Sequence, residues 1–177
     1  MKTVPFLLLL VTAVGLPAQT SPEAKAQSDT LKLRGDMAES VGRGTEKSDA
    51  ALARLKKEKS PTGLKLDADA DFAFAAIDIG RRLIAAGQPG EAEKFFKEAE
   101  KSLDTLVKKT PDTQAATKAD YLKKLSLLRS DYLNKVDQAK RDIAQAVALR
   151  PDDRHLKRAK DTLANAHADA GKTPKKE

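Results

Sequence analysis

Residues 79–99 read IGRRLIAAGQPGEAEKFFKEA, and this stretch decides the fold. Apolar residues recur at intervals of three and four before and after its Gly-Gln-Pro-Gly segment, which is the pattern of two amphipathic helices. Gly87 is typical of the residue that follows a helix C-terminus, and the Pro89-Gly90 pair prevents the first helix from continuing. Because so short a connection forces two helices to fold back on each other, we predict an antiparallel helical hairpin.

The N-terminal segment, residues 1–18, has the layout of a secretory signal peptide. Lys2 is followed by a mainly apolar run over residues 4–16 and then by Pro17-Ala18. A bilayer span needs about 20 apolar residues, and this run is shorter. We therefore predict a cleavable signal peptide and a secreted or periplasmic protein. The chain has no cysteine, so a lipid-modified N-terminal cysteine is excluded, as are disulfides.

Composition favours an all-α fold. Charged residues make up 33% of the chain and aromatic residues only 4%, and no run alternates apolar and polar residues as half-buried strands do. The formal net charge is +7, but residues 19–71 hold ten basic and ten acidic residues, so the charge is not concentrated there. Nucleic-acid binders usually combine a basic stripe with stacking aromatic residues. We therefore expect no nucleic-acid partner.

The chain divides into an arm, a helical domain and a tail. Residues 19–65 form a weakly helical N-terminal arm in which apolar residues such as Leu31 and Met37 are sparse, and Gly42 and Gly44 interrupt it. This pattern leaves open whether the arm docks or stays mobile. Residues 66–170 form the helical domain, and residues 171–177 form a charged tail.

The segment Asp67-Ala68-Asp69-Ala70-Asp71 has two interpretations. It resembles part of a calcium-binding EF-hand loop, with Asp78 at the twelfth position. It also fits a helix N-terminus, where aspartate caps the first turn and acidic residues favour the positive end of the helix dipole. The sixth loop position should be glycine, but Phe72 occupies it. We therefore favour the capping interpretation.

Residues 113–149 leave another choice open. Their apolar positions continue through Asn134 at intervals of three and four with no glycine or proline, which suits one long helix in a bundle or coiled coil. They also suit a second hairpin, because asparagine tolerates the left-handed turn conformation. We favour the hairpin. A further helix beginning at Asp152 or Asp153 is expected to close the domain.

The hairpin resembles the tetratricopeptide repeat family, whose units of about 34 residues carry Leu-Gly-x-x-Tyr, then Ala-x-x-x-Phe, then Pro. The first copy has Ile79-Gly80-x-x-Leu83, Gly87, and then Ala92-x-x-x-Phe96 with Ala99. The second copy is partial and has Ala139-x-x-x-Ile143-x-x-Ala146 and Pro151.

The second copy departs from the family pattern in its first helix, where Leu127 stands at the glycine position and Ser130 at the bulky one. Ala139 follows Ala92 by 47 residues, about thirteen more than one repeat length, so we expect lengthened helices. The resemblance implies that the small and apolar repeat residues pack the helices together. It also implies antiparallel hairpins closed by a C-terminal capping helix.

The sequence shows no catalytic constellation. The two histidines, His155 and His167, lie twelve residues apart and make no metal-binding pair of the i, i+4 type. No Gly-x-Ser-x-Gly elbow is present, and no strand leads into the Gly-Gln-Pro-Gly corner as a phosphate loop would require. We predict a protein that is not an enzyme and that has no cofactor and no metal.

The resemblance implies a protein–protein interaction scaffold. In the family, residues of the first helix of each repeat line a groove that holds a peptide or another protein. The matching positions here are Phe74, Arg81, Lys124 and Asp131. The alternative is a structural helical bundle or coiled coil of the cell envelope that acts by self-association, in which case Phe74 is core and the three charged residues are solvated.

Overall fold

The computed structural model describes residues 22–58, 60–64 and 66–170, and in this part the chain is all-α, as predicted. The predicted signal peptide and charged tail lie outside the described residues. The helices are α1 (Pro22–Gly42), α2 (Ser48–Leu55), α3 (Ala68–Ala85), α4 (Pro89–Lys109), α5 (Ala115–Asp131), α6 (Val136–Leu149) and α7 (Arg154–Ala170), with a 3₁₀ turn at Asp112–Gln114 between α4 and α5.

Helices α3 and α4 form the predicted hairpin and pack along their length. Gly87 has φ 75°, which is the left-handed conformation that glycine adopts without strain. Its N–H donates to the Ile84 carbonyl at 3.0 Å, and the Gln88 N–H donates to the Leu83 carbonyl at 2.8 Å. This pair of bonds is the Schellman motif, so the predicted role of Gly87 as the residue that ends the helix is confirmed.

Residues 113–149 form a second hairpin rather than one long helix, because α5 ends at Asp131 and α6 begins at Val136. Asn134 has φ 52° and is the one non-glycine residue with positive φ among those described. The Lys135 N–H donates to the Arg129 carbonyl at 2.8 Å and closes the turn. The preferred interpretation of Asn134 as the turn residue is therefore confirmed.

The left-handed turn gives a test of how tightly the second hairpin is specified. Asn134→Ala is expected to lower the free energy of unfolding by about 1 kcal/mol, because a Cβ without a local polar partner is disfavoured at positive φ. Asn134→Gly should be neutral within about 0.5 kcal/mol, since glycine adopts this conformation freely but loses more chain entropy. Urea denaturation followed by circular dichroism measures both, and equal stability of the two variants would contradict a constrained turn.

The N-terminal arm docks onto the first hairpin. Met37 and Val41 of α1, and Leu55 of α2, are buried in the same apolar cluster as Phe95 and Leu103 of α4. The sequence-based division between arm and domain therefore does not correspond to a break in the core. Sparse apolar residues are sufficient here because they lie at one end of α1, where the helix contacts α3.

The connection between α2 and α3 is held by polar contacts. The Thr62 N–H donates to Asp71 Oδ1 at 3.1 Å, and the Thr62 hydroxyl donates to the same oxygen. Arg34 of α1 is 8% exposed, and its Nε lies 3.0 Å from Asp78 Oδ2 of α3. These contacts join the arm to the first turn and to the middle of α3.

Two apolar clusters form the interior, and α5 contributes to both. The first contains Leu125 and Leu128 of α5 together with α1 to α4. The second contains Ala119 and Leu122 of α5, small and apolar residues of α6, and Leu156 and Leu163 of α7. Helices α1 and α2 thus cover one end of the paired hairpins, and α7 covers the other.

Candidate binding face

The four residues predicted to bind a partner lie on α3 and α5. Phe74 and Arg81 are seven residues apart on α3, and Lys124 and Asp131 are seven apart on α5, so each pair lies on one side of its helix. Lys124 Nζ lies 5.5 Å from the centre of the Phe74 ring, a cation–π distance. The structure therefore brings the first member of each pair into contact across α3 and α5.

Arg81 contacts Tyr132, a residue that sequence reasoning did not predict to bind a partner. The Arg81 Nε–H donates to the Tyr132 hydroxyl at 2.9 Å, and Arg81 Cζ lies 5.9 Å from the centre of the Tyr132 ring. Tyr132 is itself stacked on Phe96 of α4, with ring centroids 4.4 Å apart. We call the surface formed by Phe74, Arg81, Lys124, Asp131 and Tyr132 the α3–α5 face.

Electrostatics keep this face charged. The hydrogen bond and the electrostatic interaction with Tyr132 raise the pKa of Arg81; burial lowers it in part, and the carboxylates of Asp78 and Asp131 add weaker upward effects. Asp131 is exposed and accepts a hydrogen bond from Ser130 Oγ at 2.9 Å. The face therefore combines two cations and one carboxylate with two half-buried aromatic rings that also pack against the first apolar cluster.

The predicted repeat-packing residues lie inside the hairpins or at their corners. The members buried in the two apolar clusters are Ile79, Leu83, Ala92, Phe96, Ala99, Ala139, Ile143 and Ala146. Gly87 and Pro151 are exposed at the corners. At Gly80 an added Cβ would lie 2.5 Å from Phe96 Cε1, so the close approach of α3 and α4 requires glycine.

In the second hairpin, the buried small residue lies one position before the residue that the repeat spacing aligns with Gly80. Leu127, aligned with Gly80, is exposed, whereas the preceding Ser126 is 2% exposed. The connection between α5 and α6 spans residues 132–135, four residues, and that between α3 and α4 spans 86–88, three residues. The second connection is therefore one residue longer than the first, and Ser126 rather than Leu127 is the buried residue of α5 at this level.

An ionic cluster joins three helices beside this face. Arg129 of α5 contacts Glu100 of α4 through Nε at 2.8 Å, Asp104 of α4 through Nη2 at 2.6 Å, and Asp142 of α6 through Nη1 at 2.8 Å. Lys135 contacts the second Glu100 oxygen at 2.6 Å. We call these five residues the Arg129 cluster.

Burial and pairing oppose each other within the Arg129 cluster. Burial raises the pKa of Asp142, and the Arg129 Nη1 group, which donates to both Asp142 oxygens, offsets this only in part. Burial also acts to raise the pKa of Glu100, but the hydrogen bonds from Lys135 and Arg129 together outweigh it and leave that pKa below its usual value. Sequence reasoning missed the cluster. The available signal was Glu100, a charged residue on the apolar stripe between Phe96 and Leu103, because a charge at a core position requires a partner.

The aspartates at the N-terminus of α3 already have protein partners. Asp67 Oδ1 accepts the Asp69 N–H at 2.9 Å, which confirms the predicted helix cap. Asp69 pairs with Lys109 at 2.9 Å, and Asp71 accepts from Thr62. In the described ranges, no group of three or more histidine, cysteine or acidic side chains is placed to hold a metal ion. Nor does any helix there have the length and apolar character to cross a bilayer.

Comparison with known proteins adds no assignment. Neither the models of known protein families nor the curated proteins match this chain. The resemblance to tetratricopeptide repeats therefore depends on the motif residues of the two hairpins alone.

Proposed function

We propose that this protein is an exported, non-catalytic scaffold for protein–protein interaction, built from hairpins that resemble tetratricopeptide repeats. The layout of residues 1–18 supports export to a secreted or periplasmic location. The α3–α5 face is the binding surface. The observation that carries the proposal is that side chains of α3 meet a side chain of α5 and that of the residue following α5, at the Phe74–Lys124 and Arg81–Tyr132 contacts.

The chemistry of the face supports a protein partner. Aromatic rings and arginine are enriched at protein interfaces because they supply large contact areas together with directed hydrogen bonds. Tyr132 is held in place between Phe96 and Arg81, so little side-chain entropy remains to be lost when a partner binds.

The arrangement of the helices favours this function over self-association. Stacked repeats usually need neighbours at each end to bury their apolar faces. Here α1 and α2 cover the first hairpin and α7 covers the second, so a second copy of the chain is not needed to complete the core.

Site-specific photo-cross-linking in the producing cells tests the proposal. A photoreactive residue at position 124 is expected to cross-link to a different protein, whereas the same residue at position 140 should not. Lys124 and Lys140 are both exposed and have no ion-pair partner among the described residues, but Lys140 lies on α6, away from the face. Fractionation of the same cells gives the compartment.

A charge reversal gives the second arm of the test. Arg81→Glu should reduce the cross-link at position 124 about tenfold, because it removes the Tyr132 contact and reverses a charge on the face. Arg43→Glu, an exposed arginine of the α1–α2 connection, should leave the cross-link unchanged. Cross-links only to a second copy of the chain would favour the structural self-association alternative, and equal labelling from positions 124 and 140 would contradict a binding face.

A further inference from the structure

A second feature lies between α5 and α7, beside the α3–α5 face. It is an open pocket of about 350 Å³, near the lower end of the ~300–1,000 Å³ typical of ligand sites. Its apolar lining comes from Leu127 of α5 and from Ala159 and Leu163 of α7. Leu127 is 42% exposed, although leucine is usually buried in a helix of this kind.

Basic side chains surround this apolar lining. Lys123 of α5 and Arg158 of α7 line the pocket from opposite helices, with His155 beside them. Within the described part of the chain, neither Lys123 nor Arg158 has an ion-pair partner. The one carboxylate of the pocket, Asp131, also acts on Arg81 of the neighbouring face. The charge at the pocket is therefore net positive, because one carboxylate faces two cations.

We propose that this pocket takes one apolar side chain, of about leucine size, from an acidic segment of the partner protein. The inference rests on the proposed function and names the chemistry that the partner must present. An apolar side chain would cover Leu127 and Leu163, and carboxylates on either side of it would pair with Lys123 and Arg158.

The pocket fits a polypeptide better than an anionic membrane surface. A membrane-binding helix presents a broad apolar face with basic residues along both edges, and it inserts that face as a whole. Here the apolar lining is a recess between two helices, and the exposed residues of α7 that follow Arg158, such as Lys160 and Asp161, are charged. A recess of this kind accommodates one side chain at a time.

Fluorescence anisotropy with the full chain tests the inference. The probe is a labelled synthetic peptide with one leucine between glutamates, and the comparison peptides carry serine in place of leucine or lysine in place of glutamate. The leucine–glutamate peptide is expected to bind about tenfold more tightly than the serine peptide, because burial of one apolar side chain contributes that much. The lysine peptide should not bind.

Matched variants locate the site. Arg158→Glu is expected to lower the affinity for the leucine–glutamate peptide about fivefold or more. Lys160→Glu makes an equal charge change on the same helix outside the pocket and should lower that affinity less than twofold. Leu127→Asp should abolish the preference for leucine. Ile84→Asp should keep it, since Ile84 is 43% exposed and lies on α3 outside the pocket.

Several results would overturn the inference. These are equal affinity for the leucine and serine peptides, equal loss in Arg158→Glu and Lys160→Glu, and the absence of binding to every peptide. Binding of the chain to phosphatidylglycerol vesicles, if both charge variants weaken it equally, would identify a membrane surface instead. A cross-link at position 124 that persists in Leu127→Asp would contradict this pocket while leaving the proposed function standing. Absence of that cross-link in the unaltered chain would contradict the proposed function itself.

Discussion

Arg129→Ala is expected to lower the free energy of unfolding by about 3–5 kcal/mol, the loss found when one partner is removed from a buried charge network. The variant leaves Glu100 and Asp142 buried with Asp104 beside them, and only Lys135 remains to neutralise three carboxylates. Desolvated carboxylates with too few cations repel one another, so α4, α5 and α6 lose the ionic contact that adds to their apolar packing.

Urea denaturation followed by far-UV circular dichroism measures this loss. Lys140→Ala is the control, because Lys140 is exposed on α6 and has no ion-pair partner among the described residues, and it should change stability by less than about 0.5 kcal/mol. Adding Glu100→Gln and Asp142→Asn to Arg129→Ala should recover part of the loss, since the repelling charges are then gone. A loss no larger than that of the control would show that the network does not hold the helices together.

The Arg129 cluster also shows what limits prediction from sequence. The contacts of Arg129 with Glu100 and Asp104 span 29 and 25 residues of chain, so no local pattern connects them. The α3–α4 hairpin, by contrast, was predictable because Gly87 and Pro89 determine its corner locally. The sequence did not decide between a turn and a continuous helix at Asn134. Asparagine also occurs inside helices, so only tertiary packing decides between these two outcomes.

The candidate face was predictable in part, because residue spacing along one helix is also a local property of the sequence. The seven-residue spacing of Phe74 and Arg81 places both on one side of α3 whatever the rest of the chain does. Tyr132 appeared to continue the apolar stripe of α5, but the helix ends at Asp131, and the ring instead joins Phe96 to Arg81. The docking of the arm could not be predicted, because the few apolar residues of α1 contribute too little to a periodic pattern.

Gly80→Ala is expected to lower the free energy of unfolding by about 2 kcal/mol. Alanine in a helix interior is favoured over glycine by about 1 kcal/mol, so the substitution would be stabilising in the absence of neighbours. The new Cβ, however, would lie 2.5, 2.8 and 2.9 Å from three atoms of the Phe96 ring. Overpacking of this kind costs about 1–3 kcal/mol. We expect the upper end of that range, because Phe96 is 1% exposed and stacked on Tyr132 and so cannot move aside freely.

Thermal and urea denaturation measure the effect of Gly80→Ala, and Gly90→Ala is its control. An added Cβ at Gly90 in the first turn of α4 meets no atom within 4 Å, so that variant should be neutral or more stable by up to about 1 kcal/mol. A stable Gly80→Ala variant would show that the two helices can separate without loss. Because Phe96 supports Tyr132, and Tyr132 accepts the hydrogen bond from Arg81, any displacement of the ring by Gly80→Ala also reaches the α3–α5 face. The same variant should therefore weaken the cross-link at position 124, which Gly90→Ala should not do, and this connects the packing of the first hairpin to binding on the face beside it.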